Sequence, residues 1–305
     1  MTPVIIVTGA AGFIGRNVAR YFSGLGYSVI GIGHGPWSAA DASEWGIERW
    51  VSSDVSYHAL RNLGASPTII FHGAGGGSVR FSMTDPQGDF NRTVNTTSHV
   101  LEYMKNDAPD ARLVYPSSAS VYGQATQLPT HEATRRAPVS IYGFHKKLAE
   151  DLCHEYQRHF GIRSSIVRLF SVYGPGLRKQ LLWDTCVKSR RRETSFSGTG
   201  HETRDWLHID DAVSLIGFAS FDESQPVIVV NGGSGQETTI QAVVQELLLH
   251  LDPSQVAQFC GPTPRGDPQH YCADIHRASR YGWKPQRVLK LGLREYAEWY
   301  KNEVA

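Results

Sequence analysis

The feature that most constrains this chain is its first fifteen residues. Val4-Ile5-Ile6-Val7 is an apolar run bounded by Thr8, and Gly9-Ala10-Ala11-Gly12-Phe13-Ile14-Gly15 follows at once. Such a run reads as a strand covered on both faces, the turn is glycine-rich, and helical period begins at Phe13. Gly9 permits the tight turn, Gly12 allows close approach of a pyrophosphate to the backbone, and Gly15 lets the helix pack on the strand. The open helix N-terminus then offers N–H groups to phosphate oxygens. A dinucleotide-binding strand–turn–helix unit is the expectation, with Gly9, Ala11, Gly12, Phe13 and Ile14 at the ligand.

Further short apolar runs, Ser28–Ile32, Thr68–Phe71, Arg112–Tyr115, Arg163–Leu169 and Val227–Val230, alternate with segments of helical period. The helices are expected near Phe13–Leu25, Asp89–Lys105, Ser140–Phe160, Ile209–Phe221 and Ile240–Leu251. Strand–helix alternation predicts an α/β fold with a doubly wound parallel sheet of Rossmann type. Beyond about residue 171 the pattern loosens into glycine- and proline-rich loops. The expected division is a dinucleotide-binding domain of 1–170 plus about 207–235, and a smaller C-terminal substrate-binding lobe of 171–206 and 236–305.

With 305 residues, 41% of them hydrophobic, the chain can bury a large core. Its net charge of +1 supplies no field to recruit nucleic acid or an anionic membrane, so neither is expected as a partner. The basic run Lys188–Arg192 reads as a solvated helix end. Cys153, Cys186, Cys260 and Cys272 show no paired spacing, so thiols in a reducing cytoplasm are expected, with no disulfide framework and no metal site. No apolar run approaches the roughly 20 residues that span a bilayer, and the early strand leaves no room for a signal peptide. A soluble, cytoplasmic protein is expected.

Tyr142-Gly143-Phe144-His145-Lys146 carries a tyrosine and a lysine at i and i+4 on one helix face. A lysine cation there would lower the phenol's pKa, making Tyr142 a usable acid/base, and would also reach a nicotinamide ribose.

The GxxGxxG spacing and YxxxK resemble the extended branch of the short-chain dehydrogenase/reductase superfamily, the nucleotide-sugar epimerases and dehydratases. The segment Ser117-Ser118-Ala119-Ser120-Val121-Tyr122-Gly123 is similar to that family's serine segment, and the resemblance implies that Ser118 hydrogen-bonds the reacting oxygen. It extends to Asp54-Val55 at the adenine, to His72-Gly73-Ala74 beside the nicotinamide half, and to Arg168–Pro175, where Phe170 closes over the cofactor. The end of the second strand departs from the pattern: Gly33 and His34 stand where NAD-preferring relatives place an acidic residue, so NAD and NADP both remain open. Thr93 replaces a common Asn.

The substrate side carries the same likeness. Thr203–Asp211 is similar to the TRDxxHVDD motif, which implies that Arg204 clamps a diphosphate; a guanidinium fork suits phosphate oxygens. Thr263–Asp267 is similar to a PRxGD loop and implies a second contact from Arg265. Ser120, Ser171, Gln180 and Leu181 complete the implied substrate set. His72, His145 and His208 also read as satisfied packing histidines. Ala119 and Ser120 stand where dehydratases of this branch carry acid/base carboxylates, and neither side chain can do that work.

The resemblance thus implies an NAD(P)-dependent nucleotide-diphosphate-sugar 4-epimerase that oxidises C4 transiently. A 4-ketoreductase of a nucleotide-linked 4-keto-6-deoxy sugar needs the same residues. A non-catalytic dinucleotide sensor would be expected to have lost them. The family likeness further implies a homodimer through the Asp89–Lys105 and Ser140–Phe160 helices.

Overall fold

A computed structural model describes residues 2–304 except 36, 126, 262–268 and 281. In chain order the first half runs β1 (Val4–Thr8), α1 (Phe13–Gly24), β2 (Ser28–Gly33), α2 (Ala39–Glu44), β3 (Arg49–Ser52), α3 (Tyr57–Arg61), β4 (Ile69–His72), α4 (Val79–Thr84), α5 (Pro86–Phe90), α6 (Thr96–Asp107), β5 (Arg112–Ser118) and α7 (Ile141–Phe160). It continues through β6 (Arg163–Leu169), β7 (Ser171–Tyr173), α8 (Gln180–Arg190), β8 (Ser195–Ser197), β9 (Thr203–His208), α9 (Ile209–Phe221), β10 (Val227–Gly232), β11 (Glu237–Thr239), α10 (Ile240–Leu251), β12 (Gln258–Cys260), α11 (His276–Arg280) and α12 (Leu289–Val304).

Seven strands form one sheet in the order β10-β6-β5-β4-β1-β2-β3. After β3 the chain returns across β1 to lay β4 on its other side. That reversal opens a crevice beyond the carboxyl ends of β1 and β4, where open α/β sheets bind ligands. Parallel register aligns Thr8 with His72 and Ser118 with Leu169. The glycine turn, the His72 end and the serine segment therefore share one edge. Ile5, Ile6, Val7, Ile70 and Phe71 are fully buried, as strands covered on both faces must be. Val100, Leu101 and Met104 of α6 and Ala149 and Cys153 of α7 join this core.

The structure adds elements that the sequence reading did not place, among them β3, β7, α8, β9 and α12, and it divides one helix that the reading did place. The edge strand β3 has exposed Arg49 and Ser52 around half-buried Trp50 and Val51, so it carries no fully buried apolar run. The helix expected over Asp89–Lys105 is divided: α5 starts earlier, at Pro86 behind an Asp85 cap, and Asn91–Asn95 forms a π-helical turn before α6. Thr96 and Thr97 hydroxyls donate to the carbonyls of Arg92 and Thr93 at 2.6 Å each. Such back-bonding competes with regular helical bonds and favours a widened turn.

The chain separates into two compact units: Met1–Gly123, Arg135–Leu169 and Val213–Val230 in the first, and Gln124–Thr134, Phe170–Ala212 and Asn231–Ala305 in the second. The second holds a three-stranded sheet β11-β9-β7 and the strand pair β12-β8. The buried Asp205 carboxylate organises it, accepting hydrogen bonds from the Ser234, Gly235 and Ala273 amides. α8 ends at Arg190 with Arg190–Arg192 exposed, so the basic run is a solvated helix end. No described helix is long and apolar enough to cross a membrane. All four cysteines are free thiols, and only Cys260 is exposed.

Candidate active site

The glycine turn is tighter than side chains would allow. Gly9 adopts φ +66°, and a Cβ on it would lie 2.7 Å from the Ala74 amide nitrogen. A Cβ on Gly15 would lie 2.2 Å from the Gly9 carbonyl oxygen, so only glycine lets α1 sit this close to the turn. Helices α2, α3, α4, α5, α7 and α10 are capped by Ser38, Ser56, Ser78, Asp85, Ser140 and Thr239 side chains, whereas Gly12 gives α1 none. Its first-turn amides stay open to an anion, and the helix dipole adds to them. Thr8 Oγ1 accepts the Ala74 amide at 3.1 Å and lies 2.7 Å from His72 Nδ1, tying the β1 and β4 ends together. These residues fit a dinucleotide pyrophosphate.

At the end of β2, Gly33 packs against Gly9, and a Cβ there would approach its Cα at 3.3 Å. His34 Nε2 lies 2.6 Å from Asp54 Oδ1, both side chains exposed, while Val55 is buried. His72 is buried between two hydroxyls, Thr8 and Thr97, and burial lowers its pKa to about 3, so it is a neutral ring. Ala11, Phe13 and Ile14 lie along the turn and the first turn of α1, partly accessible, as does Gly73 beyond β4.

Ser118 ends β5, and its hydroxyl accepts the Ser120 amide at 3.2 Å and donates to Ser120 Oγ at 3.1 Å. Ser140 caps α7 by accepting the Gly143 amide. Gly143 permits close approach, since a Cβ there would lie 2.4 Å from the Ser120 carbonyl oxygen. That contact sets Tyr142 beside Ser118, and the two side chains hydrogen-bond. Ser82, on α4, accepts the Tyr142 amide at 3.0 Å, a brace with no sequence signal beyond an ordinary serine. Lys146 Nζ donates to the Pro116 carbonyl at 2.9 Å and lies 4.8 Å from the Tyr115 ring centroid and 6.0 Å from that of Tyr142.

The protonation states correct one expectation. Lysine was expected to acidify Tyr142, yet burial pushes the phenol up to about 12, and the Ser118 hydrogen bond only partly opposes it. Burial also pulls Lys146 down to about 8. Desolvation penalises the charged form of each and is the largest cause of both shifts. A neutral phenol thus stands beside a weakened ammonium.

Thr93, standing where an Asn was expected, is buried and accepts the Gly76 amide at 3.0 Å. Two buried carboxylates went unread in the sequence. Asp89 bonds His145 at 2.7 Å. Glu150, one turn beyond Lys146, accepts from Ser117, Arg136 and Arg168. A carboxylate inside an otherwise buried helical stripe was their only signal.

In the second unit, Arg204 donates to the Thr203 carbonyl at 2.7 Å and to Gln269 at 3.4 Å, and lies over the Tyr271 ring. Asp205 and Asp210 serve elsewhere, the first in its loop network and the second with Arg287. Phe170 meets Tyr271 edge-on, and Ser171 opens β7. Gln180 starts α8 at φ +67°, and Leu181 packs against Phe196, Val244 and Leu248. His208 packs edge-on to Tyr173 and accepts the Asp210 amide at Nδ1, but its buried Nε2 has no hydrogen-bond partner among the described residues, so the reading of a satisfied packing histidine holds for one ring nitrogen only. Arg265 lies outside the described residues.

A switch-point glycine turn beside a Ser–Tyr–Lys constellation defines a nucleotide-dependent α/β enzyme class, and sequence comparison agrees. Residues 5–230 match the model of the NAD dependent epimerase/dehydratase family, and the chain belongs to that family. It is 29% identical to UDP-glucuronate 4-epimerase 3 of Arabidopsis thaliana, over 97% of this chain and 76% of that protein. It is 27% identical to UDP-glucuronate 4-epimerase of Thermodesulfobacterium geofontis, over 98% and 96%. Among solved structures, UDP-glucuronic acid 4-epimerase from Bacillus cereus, in complex with UDP-glucuronic acid and NAD, superposes with a TM-score of 0.85 at 26% identity, covering 98% of this chain and 99% of that one. UDP-glucose 4-epimerase from Thermotoga maritima shares the fold at a TM-score of 0.89 and 23% identity, covering 99% and 100%.

Proposed function

We propose that this chain is an NAD(P)-dependent nucleotide-diphosphate-sugar 4-epimerase. The observation that carries the reading is the convergence of Ser118, Tyr142 and Lys146 at the sheet edge that holds the glycine turn, with no carboxylate at 119 or 120 to drive dehydration. Tyr142 takes the C4 hydroxyl proton and later returns it, Ser118 hydrogen-bonds the same oxygen, and Lys146 holds the charge that forms on the phenol. A bound nicotinamide supplies a reversible hydride acceptor. The Gly12 turn and open α1 amides hold the pyrophosphate, and Lys146 reaches the ribose beside the ring.

UDP-sugars are the first substrates to test, since the relatives above are UDP-glucuronate and UDP-glucose 4-epimerases. A screen of UDP-, dTDP-, GDP- and CDP-sugars is expected to give the C4 epimer without added NAD(P)H. Conversion only with stoichiometric consumption of NAD(P)H would instead establish the 4-ketoreductase. Arg204 is proposed as the diphosphate contact. Arg204→Ala is expected to raise KM at least tenfold with a smaller change in kcat, and an unchanged KM would remove it from that role.

The same reading includes a homodimer built on α5, α6 and α7. Phe90 and Phe144 are exposed large aromatics on this face, flanking the buried His145. Such a surface favours covering, and light scattering that returns the mass of a single chain would refute it. A reducing, cytoplasmic location suits the four free thiols.

A further inference from the structure

We propose that Asp89, held by His145, is a positioning residue that keeps Lys146 in its charged form at working pH. The inference rests on Tyr142 and Lys146 being the reacting pair.

Asp89 sits on α5 with no solvent exposure, and its Oδ2 lies 2.7 Å from Nδ1 of His145, the residue just before Lys146 on α7. Its other oxygen, Oδ1, has no hydrogen-bond partner among the described residues. That oxygen faces Gly76, where a Cβ would lie only 2.0 Å from it. A Cβ on the neighbouring Gly75 would lie 3.8 Å from both Lys146 Nζ and Thr93 Oγ1. The carboxylate and the ammonium thus lie under the same two-glycine segment, and no side chain at 75 or 76 separates them.

The remaining groups around Lys146 leave Asp89 as its counter-charge. From β5 it meets the Pro116 carbonyl and the Tyr115 ring, and from its own helix the Tyr142 ring. His72 on β4 is a neutral imidazole. Glu150 is the other nearby anion, but Arg168 pairs with it at 2.8 Å and Arg136, shared with Asp151, engages it as well, so its charge is already matched. Burial lowers the Lys146 pKa, and Asp89 is the first of the two carboxylates that oppose the shift. A buried charge pair interacts more strongly than one in water. The His145 hydrogen bond holds the carboxylate in place beside the two glycines.

The sign follows directly. Removing a negative charge near Lys146 makes its proton easier to lose, so the alkaline limb of the kcat/KM profile moves to lower pH. Asp89→Asn, purified with its dinucleotide, is expected to move that limb down by roughly one pH unit. The KM for the sugar nucleotide is expected to hold at neutral pH. His145→Leu removes the group that holds the Asp89 carboxylate in place, and a downward movement of the same limb is expected from this chemically different change. A packing role would lower activity evenly across pH, so a limb left at its wild-type position in either folded variant overturns the proposal. Lys146→Met separates the two readings: turnover that survives it would sink the reacting pair itself.

Discussion

Replacing Tyr142 with phenylalanine is expected to lower kcat by about 10²- to 10⁴-fold, the range that a positioned acid/base contributes. Dinucleotide retention should stay near wild type, because the glycine turn and the open α1 amides do not involve the phenol. The phenylalanine ring preserves the packing against Ser118 and Lys146 and deletes only the oxygen. Burial pushes the phenol up to about 12 and pulls Lys146 down to about 8. Lysine is therefore protonated at neutral pH and loses its proton as pH rises past that value, so wild-type activity is expected to fall on the alkaline side. Steady-state assays across pH, with bound cofactor quantified after denaturation, test both statements. Turnover within a few-fold of wild type in the phenylalanine variant would take Tyr142 out of the mechanism.

The largest stability effect is expected at Glu150. Its carboxylate is fully buried and accepts from Arg168 Nε at 3.0 Å and Nη2 at 2.8 Å, from Arg136 at 3.1 Å and from Ser117 at 2.6 Å. Arg168 is only 4% exposed and also donates to the Tyr122 hydroxyl at 2.9 Å. Ser117 precedes Ser118, so this network ties β5, β6 and α7 together directly behind the site. Glu150→Ala leaves the deeply buried Arg168 guanidinium without its carboxylate, while Arg136 keeps Asp151 at 2.7 Å. Breaking a buried pair from one side costs about 3–5 kcal/mol, a large share of the roughly 5–15 kcal/mol that holds a typical domain folded. Urea unfolding of the variant should show a sharply lower midpoint. A midpoint equal to that of the wild type would mean that the network contributes little.

Most of the fold was legible because it rests on local signals. An apolar strand followed by glycines at 9, 12 and 15 allows few structures, and the β6 and α9 boundaries fall where periodicity placed them. β3 was hidden because an edge strand with one solvated face carries no apolar run. The division of the Asp89–Lys105 segment was hidden because it depends on threonine hydroxyls bonding back to carbonyls, which pattern alone does not show.

At the site, the order of glycine turn, serine segment and YxxxK identified the residues that the fold brings together. What the spacing could not convey is desolvation. An i, i+4 lysine suggests an acidified phenol, but Lys146 is buried and Tyr142 half-buried, and loss of solvent disfavours the charged form of each. Nor could spacing show that Asp89, from α5, bonds the residue before Lys146, or that Glu150, one turn beyond Lys146 on α7, gathers two arginines. Their partners His145, Arg136 and Arg168 lie 56, 14 and 18 residues away.

The central claim is that C4 gives up its hydrogen as hydride and receives the same one back while the sugar remains bound. A UDP-sugar substrate carrying deuterium at C4, incubated with the protein as purified and without added NAD(P)H, tests it most directly. Epimerised product that keeps the deuterium at C4 is the expected result. Loss of the label to solvent, or no epimer unless NAD(P)H is supplied and consumed, would contradict it.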